Sequence, residues 1–262
     1  MNAPASQSRF VWHELLAADP AATTAFYPSV VGWTTQEWKT PPGAPPYTMW
    51  MNGQAPIGGL MALPPEVKAA GAPSHWLGYV SVANVDKSVS QATTLGARVH
   101  AGPMDLPEVG RIAVIADPQG AVIALFTPAG AGMSPPDHAP VGGVSWNELA
   151  TDDGQKAFDF YSQLFGWTKG EAMDMGPMGV YQIVAPAGGG VPFGAIYNRP
   201  PQIPVSNWLY YFRVANLDSA VATAKAKGGK LLNGPMDVPG GRIAQLMDPQ
   251  GAAFALHWVA QG

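Results

Sequence analysis

The sequence predicts an α+β protein built from four βαβββ modules, two in each of two tandem halves. The main observation is an internal repeat. Segment 11–33 matches segment 145–167 at an offset of 145 − 11 = 134 residues, and segment 110–125 matches segment 241–256 at an offset of 241 − 110 = 131 residues. A nearly constant offset over such a distance indicates duplication of a whole domain. Within each half, a helical pattern followed by short strands occurs twice.

The first module opens with a short strand and continues into a helix. Asp19-Pro20 predicts the helix start, because aspartate caps free backbone N–H groups and proline suits the first helical position. Ala22, Phe26 and Val30 then recur at helical spacing on one face. Two further strands are predicted at Tyr47–Asn52 and Ile57–Met61.

The second module repeats this order. Its first strand is predicted at Trp76–Val82, and its helix extends from about Asp86 to Leu95, where Gly96 ends it. Asp117-Pro118-Gln119-Gly120 is a tight-turn sequence, with proline second and glycine fourth. The remaining strands are predicted near Arg98, at Ile112–Ala116 and at Val122–Phe126.

The boundary between the halves falls in a stretch rich in proline and glycine, residues 127–143. Such composition is typical of a linker. We therefore predict an N-terminal domain at 8–128, a linker at 129–143 and a C-terminal domain at 144–260.

Composition excludes several classes of function. The net charge is −4, and without a run of Lys or Arg we expect no nucleic-acid partner. No apolar run approaches the roughly 18 residues of a membrane span, and the N-terminus shows no signal-peptide pattern, so we expect a cytoplasmic protein with no membrane partner. With no cysteine, disulfides and thiolate sites are excluded. The tandem repeat is compatible with a monomer or a homodimer.

The run from Asp19 to Trp33, its copy from Asp153 to Trp167, and the two Asp-Pro-Gln-Gly-Ala strand pairs resemble the vicinal oxygen chelate superfamily. This superfamily contains glyoxalases, bleomycin-resistance proteins and extradiol dioxygenases. More narrowly, the chain is similar to tandem glyoxalase-like proteins. The resemblance implies that each half forms a curved, eight-stranded mixed sheet, or cup, with flanking helices and a small-molecule ligand or substrate inside.

The resemblance also implies a divalent metal, held by His, Gln and Glu side chains on the first, fourth, fifth and eighth strands of each cup. In this sequence the first-strand position is Trp12, and the eighth-strand glutamate is replaced by Ala124 and Ala255. We therefore predict no cofactor and no metal site of the usual type. If the first strand were shifted by one residue, His13 and His75 would be the candidate metal ligands.

Strand alternation places Trp12 and Glu14 on the cup face, and Trp146 and Glu148 in the second copy. A glutamate in apolar surroundings has a raised pKa, which suits proton transfer. We predict Glu14 and Glu148 as catalytic groups. The alternative is a structural carboxylate satisfied by backbone N–H groups or by an arginine such as Arg111 or Arg242.

Other candidate site residues follow from the same alternation. His75 and His257 are predicted as further catalytic groups, since histidine titrates near neutral pH. The predicted ligand-binding residues are Trp12, Tyr47, Met49, Tyr79 and Phe126 in the first half, and Trp146, Tyr181, Asn207, Tyr211 and Arg213 in the second.

Three functions remain open. The first is a lyase, isomerase or hydroxylase-like enzyme that acts on a small organic molecule in an aromatic-lined cup without the usual metal. The second is a non-catalytic protein that binds or sequesters a small molecule or drug. The third is a metal-dependent glyoxalase of the usual type.

Overall fold

The computed structural model describes residues 8–40, 43–130, 135–176 and 179–260. The first-half strands are β1 (Phe10–Ala17), β2 (Thr34–Trp38), β3 (Tyr47–Asn52), β4 (Ala55–Ala62), β5 (His75–Ser81), β6 (Arg98–Leu106), β7 (Gly110–Ala116) and β8 (Val122–Pro128). The second-half strands are β9 (Val144–Thr151), β10 (Thr168–Asp174), β11 (Val180–Ala185), β12 (Gly194–Asn198), β13 (Asn207–Arg213), β14 (Lys230–Val238), β15 (Gly241–Met247) and β16 (Ala253–Val259). The helices are α1 (Pro20–Val31), α2 (Pro65–Ala69), α3 (Val85–Thr94), α4 (Gly154–Phe165) and α5 (Leu217–Ala226).

The strands form two open, eight-stranded mixed sheets with the same topology. The first sheet has the order β2-β3-β4-β1-β5-β8-β7-β6, and the second has β10-β11-β12-β9-β13-β16-β15-β14. Pairing is parallel between β1 and β4 and between β5 and β8, whereas the β2–β3–β4 and β6–β7–β8 neighbours are antiparallel. The predicted α+β class and the four βαβββ modules are confirmed, and the short helix α2 is an addition to the predicted pattern.

Helix α1 begins as predicted. The Asp19 side chain accepts a hydrogen bond from the Ala22 backbone N–H, which satisfies one of the free donors of the first turn. On the face predicted from helical spacing, Phe26 and Val30 are buried and Ala22 is exposed, while the neighbouring Thr23 is also buried. None of the described helices is long and apolar enough to span a membrane.

The described residues divide into two compact units that differ from the sequence halves. The first compact unit lies within Met1–Val11, Gly78–Asp137 and Trp146–Trp208. The second lies within Trp12–Leu77, His138–Ser145 and Leu209–Gly262. The predicted domain limits remain predictions, and residues 131–134 of the predicted linker lie outside the described part of the chain.

The second compact unit joins the first and fourth modules through Tyr27 of α1. This side chain is fully buried, and its ring lies 5.3 Å from the ring of Phe254 in β16. Its hydroxyl accepts a hydrogen bond from Trp76 Nε1 at 3.0 Å and donates to Asp248 at 3.1 Å. Because both partners are buried, each polar group of this contact is satisfied within the core.

The first compact unit repeats this arrangement with the second and third modules. Tyr161 of α4 is fully buried and donates its hydroxyl hydrogen to Asp117 at 3.0 Å. Trp208 Nε1 donates to the Tyr161 hydroxyl at 3.2 Å. Burial raises the pKa of Asp117, as it does for Asp248 in the other unit.

The repeated Asp-Pro-Gln-Gly sequence forms the predicted turn and also contacts a helix of another module. The Gly120 N–H donates to the Asp117 carbonyl at 3.0 Å, which closes the turn. The Gln119 side chain donates to the Asp153 carbonyl and accepts from the Asp153 N–H. Gln250 makes the same two bonds with Asp19. The turn therefore helps to close each compact unit at the start of α4 or α1.

Candidate functional site

The first candidate site is centred on Glu14 in β1. Glu14 is 6% exposed. The Tyr47 hydroxyl, on β3, accepts a hydrogen bond from Trp12 Nε1 at 2.9 Å and is hydrogen-bonded to the Glu14 carboxylate. Since Trp12 and Glu14 contact the same hydroxyl, they project from the same face of β1, as strand alternation predicts. We call Trp12, Tyr47 and Glu14 the N-terminal triad.

A glycine makes room for the N-terminal triad. Gly59 of β4 lies opposite Glu14 in the parallel pair and opposite Met49 in the antiparallel pair. A Cβ atom at Gly59 would overlap the hydroxyl of Tyr47. The missing side chain therefore lets the Tyr47 ring lie across β4.

The second half contains the same connection, which we call the C-terminal triad. Trp146 Nε1 donates to the Tyr181 hydroxyl at 2.8 Å, and that hydroxyl donates to Glu148 Oε2 at 2.8 Å. Glu148 is 6% exposed. Tyr197 of β12 adds a second hydroxyl within hydrogen-bonding reach of Glu148, and its ring lies 5.6 Å from that of Tyr181.

The tyrosines of both triads are neutral hydrogen-bond donors. Burial, followed by the nearby Glu14 carboxylate, raises the pKa of Tyr47 far above its ordinary value. Burial and Glu148 act in the same way on the pKa of Tyr181 and of Tyr197. These phenols therefore stay protonated at neutral pH, and each triad contains a buried carboxylate oriented by a hydroxyl.

The predicted arginine partners of the glutamates are wrong. Arg111 binds Asp86 and Asp105, and Arg242 binds Asp218 and Asp237. These arginines pair with carboxylates at the start of α3 or α5 and on the neighbouring strand. The partners seen for Glu14 and Glu148 are tyrosine hydroxyls instead.

The two histidines proposed as fallback metal ligands have other contacts. His13 is buried, and its ring packs edge-on against Tyr210 with the centroids 4.8 Å apart. His75 Nδ1 lies 2.8 Å from the Pro73 carbonyl oxygen, at the start of β5. This contact satisfies one ring nitrogen of His75 next to the strand end.

Several predicted ligand-binding residues lie on neighbouring strands. Tyr79 pairs with Ala124 across β5 and β8, and Ser81 pairs with Phe126. Tyr79 and Phe126 are both buried. Asn207 begins β13, and its buried Oδ1 atom has no hydrogen-bond partner among the described residues.

The remaining predicted residues of the second half form a cluster on β13 and β16. Tyr211 pairs with Ala255, and Arg213 pairs with His257. His257 Nδ1 lies 2.9 Å from the Ser145 hydroxyl, and Gln245 Nε2 donates to the Tyr211 hydroxyl at 2.9 Å. Burial, followed by the positive charge of Arg213, lowers the pKa of His257.

The residues at the family's metal positions do not fit a metal ion. Ala124 and Ala255 are fully buried and offer no donor atom, and the nitrogen of Trp12 is an indole N–H that donates to Tyr47. Among the described residues, no three His, Cys, Asp or Glu side chains are grouped so that they could hold a metal. Three or four such ligands are usual in protein metal sites.

Family comparison agrees with the repeated fold. Residues 9–125 and 143–256 each match the model of the glyoxalase/bleomycin resistance protein/dioxygenase superfamily. The chain belongs to this superfamily. Each match includes the residues of one triad.

Named relatives match over most of the chain. CFP32 of Mycobacterium tuberculosis, whose name assigns it to the glyoxylases, is 32% identical, with 94% of this chain and 92% of the relative covered. The anthracycline biosynthesis protein DnrV of Streptomyces peucetius is 30% identical, with 96% and 93% covered.

Solved structures support the fold. The Mn(II)-bound glyoxalase of Novosphingobium aromaticivorans matches with a TM-score of 0.63 at 16% identity, covering 96% of this chain and 82% of the other. An extradiol ring-cleaving dioxygenase from B. fuscum matches with a TM-score of 0.64 at 15% identity, covering 98% and 74%.

Sequence reasoning missed three polar residues at these sites: Tyr197, Ser145 and Gln245. The signal for Tyr197 was available, because it stands two residues after Ala195, which pairs with Glu148. Strand β12 received no candidate because it contains no acid or histidine. Ser145 and Gln245 become neighbours of His257 and Tyr211 only through strand pairing, which the local pattern does not specify.

Proposed function

We propose that this protein acts on a small organic molecule by proton transfer, with Glu14 and Glu148 as the groups that move the proton. The observation that carries the proposal is the repeated triad, in which a tyrosine hydroxyl held by an indole N–H orients a buried carboxylate. A general base needs a fixed position and a controlled environment, and both triads supply these.

Each residue of a triad has a distinct role in this mechanism. The glutamate accepts a proton from a carbon or hydroxyl group of the substrate and returns it to another position. The tyrosine stays neutral and donates its hydrogen bond, which stabilises the carboxylate form before the transfer. The tryptophan fixes the tyrosine oxygen through its N–H. This division corresponds to a lyase or isomerase reaction class.

We further propose that the chemistry proceeds without the metal typical of the superfamily. Ala124 and Ala255 remove the eighth-strand ligand in both halves, and tryptophans occupy the first-strand position. The carboxylate would then work as a base rather than as a ligand. The superfamily relatives support small-molecule chemistry on this scaffold, and we assign that chemistry to the residues of the triads.

Proton transfer can be tested before the natural substrate is known. The protein is incubated in deuterium oxide with a panel of small aldehydes, ketones and aromatic ketols, and loss of the carbon-bound proton signal is followed by NMR. We expect Glu14→Gln combined with Glu148→Gln to slow exchange by about 100-fold to 10,000-fold, the usual contribution of a general base.

The chain offers a matched pair of control positions. Glu37 in β2 and Glu171 in β10 are exposed and are separated by the repeat offset, 171 − 37 = 134. Glu37→Gln and Glu171→Gln should leave exchange unchanged. Exchange at the wild-type rate in a folded Glu14→Gln, Glu148→Gln double variant would rule out the proposed role.

A binding function is the second candidate, favoured by the aromatic side chains beside each carboxylate. Trp12 and Tyr47 border Glu14, and the Tyr181 and Tyr197 rings lie 5.6 Å apart beside Glu148. The name of DnrV links that relative to anthracycline biosynthesis, so planar aromatic compounds are suitable test ligands here. Sequestration predicts tight binding without turnover, and a greater loss of affinity in Trp12→Ala than in Glu14→Gln.

A further inference from the structure

Arg213 differs from the other partly buried arginines of the chain. Each of those pairs with an aspartate: Arg9 with Asp137, Arg111 with Asp86 and Asp105, Arg199 with Asp152, and Arg242 with Asp218 and Asp237. Every aspartate and glutamate of the sequence is among the described residues, and none of them pairs with Arg213. Its side chain instead donates from Nη1 to the Ala139 carbonyl at 2.7 Å. Among the residues that the structure describes, no ion pair therefore balances the positive charge of Arg213.

A second hydrogen-bond donor, with a hydroxyl group that orients it, lies beside Arg213. His257 lies directly opposite Arg213 in the parallel β13–β16 pair. The Ser145 hydroxyl lies 2.9 Å from His257 Nδ1 and 3.3 Å from the Tyr211 carbonyl oxygen. Donation from this hydroxyl to Nδ1 corresponds to one of the two neutral tautomers of His257. A neutral ring that accepts at Nδ1 carries its proton on Nε2, which then donates.

The first half shows that the fold does not require these groups. Arg213 corresponds to Ser81 (213 − 81 = 132), His257 to Phe126 (257 − 126 = 131) and Ser145 to Val11 (145 − 11 = 134). At the same strand positions the first half therefore has no charge and no imidazole. A half-buried guanidinium without a counterion carries a cost in folding free energy, which a ligand of opposite charge would offset.

We propose that Arg213, His257 and Ser145 form an anion subsite in the C-terminal half that binds the carboxylate of a small organic ligand. The guanidinium supplies a planar set of donors that matches a carboxylate, and the imidazole adds one more. Ser145 is a positioning residue, because it acts by fixing the histidine tautomer. The inference goes beyond the proton-transfer proposal, since it uses neither Glu14 nor Glu148.

The experiment compares an acid with its neutral amide of the same shape. Binding of naphthoate and of the matching naphthamide is measured by isothermal titration calorimetry on the full-length protein, and the pair benzoate and benzamide is measured in the same way. We expect the wild type to bind at least one carboxylate about tenfold or more tightly than its amide, because charge-assisted hydrogen bonds are the stronger kind. Arg213→Ser should abolish this preference.

Each variant introduces the residue that is present at the corresponding position of the first half. Arg213→Ser reproduces Ser81, and His257→Phe reproduces Phe126, so the backbone tolerates both side chains at these positions. His257→Phe should reduce the carboxylate preference, and Arg98→Gln, an exposed control, should retain it. If Arg213→Ser failed to fold, His257→Phe would decide the question alone.

Three results would overturn the subsite: equal affinity of the wild type for acid and amide, no binding of either carboxylate, or an unchanged preference in folded Arg213→Ser or His257→Phe. A carboxylate preference in a protein whose folded Glu14→Gln, Glu148→Gln double variant still exchanges protons at the wild-type rate would instead reject the catalytic proposal and leave the subsite standing. The two proposals can therefore fail separately.

Discussion

The N-terminal and C-terminal triads make the same hydrogen bonds in different surroundings. Tyr47 lies across Gly59, where a Cβ atom would overlap its hydroxyl. In the second half the position of Gly59 is taken by Ala195, which pairs with Glu148, and Glu148 has a second tyrosine, Tyr197, within reach. The connection of indole, phenol and carboxylate has therefore been kept while its packing has changed. The same hydrogen bonds therefore form with either glycine or alanine at this position of the neighbouring strand.

The largest change in unfolding free energy is expected when the glycine of one half and the corresponding alanine of the other are exchanged. Gly59→Ala should displace Tyr47 and cost about 3 kcal/mol of unfolding free energy, the upper part of the usual range for overpacking. Ala195→Gly should cost about 1 kcal/mol, mainly through backbone entropy. Urea unfolding of the two variants measures both changes. Equal costs would show that the two halves hold their tyrosines in the same way.

Removal of the tyrosine hydroxyl should also destabilise the two halves by different amounts, and this difference should be smaller. Tyr47→Phe deletes the hydrogen bond to a buried carboxylate and should cost about 2 kcal/mol. Tyr181→Phe should cost about 1 kcal/mol, because Tyr197 still reaches Glu148. Chemical denaturation gives the two costs, and the matched double variant Tyr181→Phe, Tyr197→Phe should restore the larger value. A Tyr181→Phe cost as large as that of Tyr47→Phe would remove Tyr197 from this role.

The halves also differ in their expected response to acid. The pKa of His257 is below its ordinary value of 6.5 in the folded protein, so the unfolded chain binds its proton first as pH falls. The stability associated with neutral His257 is therefore present above pH 6.5 and is lost as pH decreases through the folded pKa. His257→Phe, which copies Phe126, should lose less stability than the wild type between about pH 7 and pH 5. Parallel stability curves for the two proteins would contradict this expectation.

The smallest effect is expected from metal removal. Because Ala124 and Ala255 offer no donor atom at the eighth-strand ligand position, treatment with EDTA should leave both the melting temperature and the rate of proton exchange unchanged. Elemental analysis of protein purified without added metal should give well below one metal ion per chain. One or two ions per chain would direct attention back to His13 and His75.

Much of the fold could be predicted because its signals are local. The repeat, the Asp19 cap and strand alternation indicated the modules and placed Trp12 and Glu14 on one face. The partners of the glutamates were harder to predict, because Tyr197 becomes a neighbour of Glu148 only through the register of β12 against β9. Arg111 has the charge that a partner of Glu14 would need, yet in the fold it pairs with Asp86 and Asp105.

The pairing of modules could not be predicted from either half alone. Tyr27 and Asp248 are 221 residues apart in sequence, and Tyr161 and Asp117 belong to different halves. Each local pattern is compatible with several arrangements of helix on sheet. Only the folded chain shows which turn contacts which helix.

The Gln250–Asp19 contact has a consequence for synthesis on the ribosome. The second compact unit contains residues from Trp12–Leu77 and from Leu209–Gly262. Translation adds residues at about 5–20 per second, from the N-terminus onward. The first module therefore leaves the exit tunnel early, and the last module supplies the partners of Asp19 and Tyr27. Until then its aromatic side chains lack part of their packing, so we expect the nascent chain to expose apolar surface that a chaperone could cover.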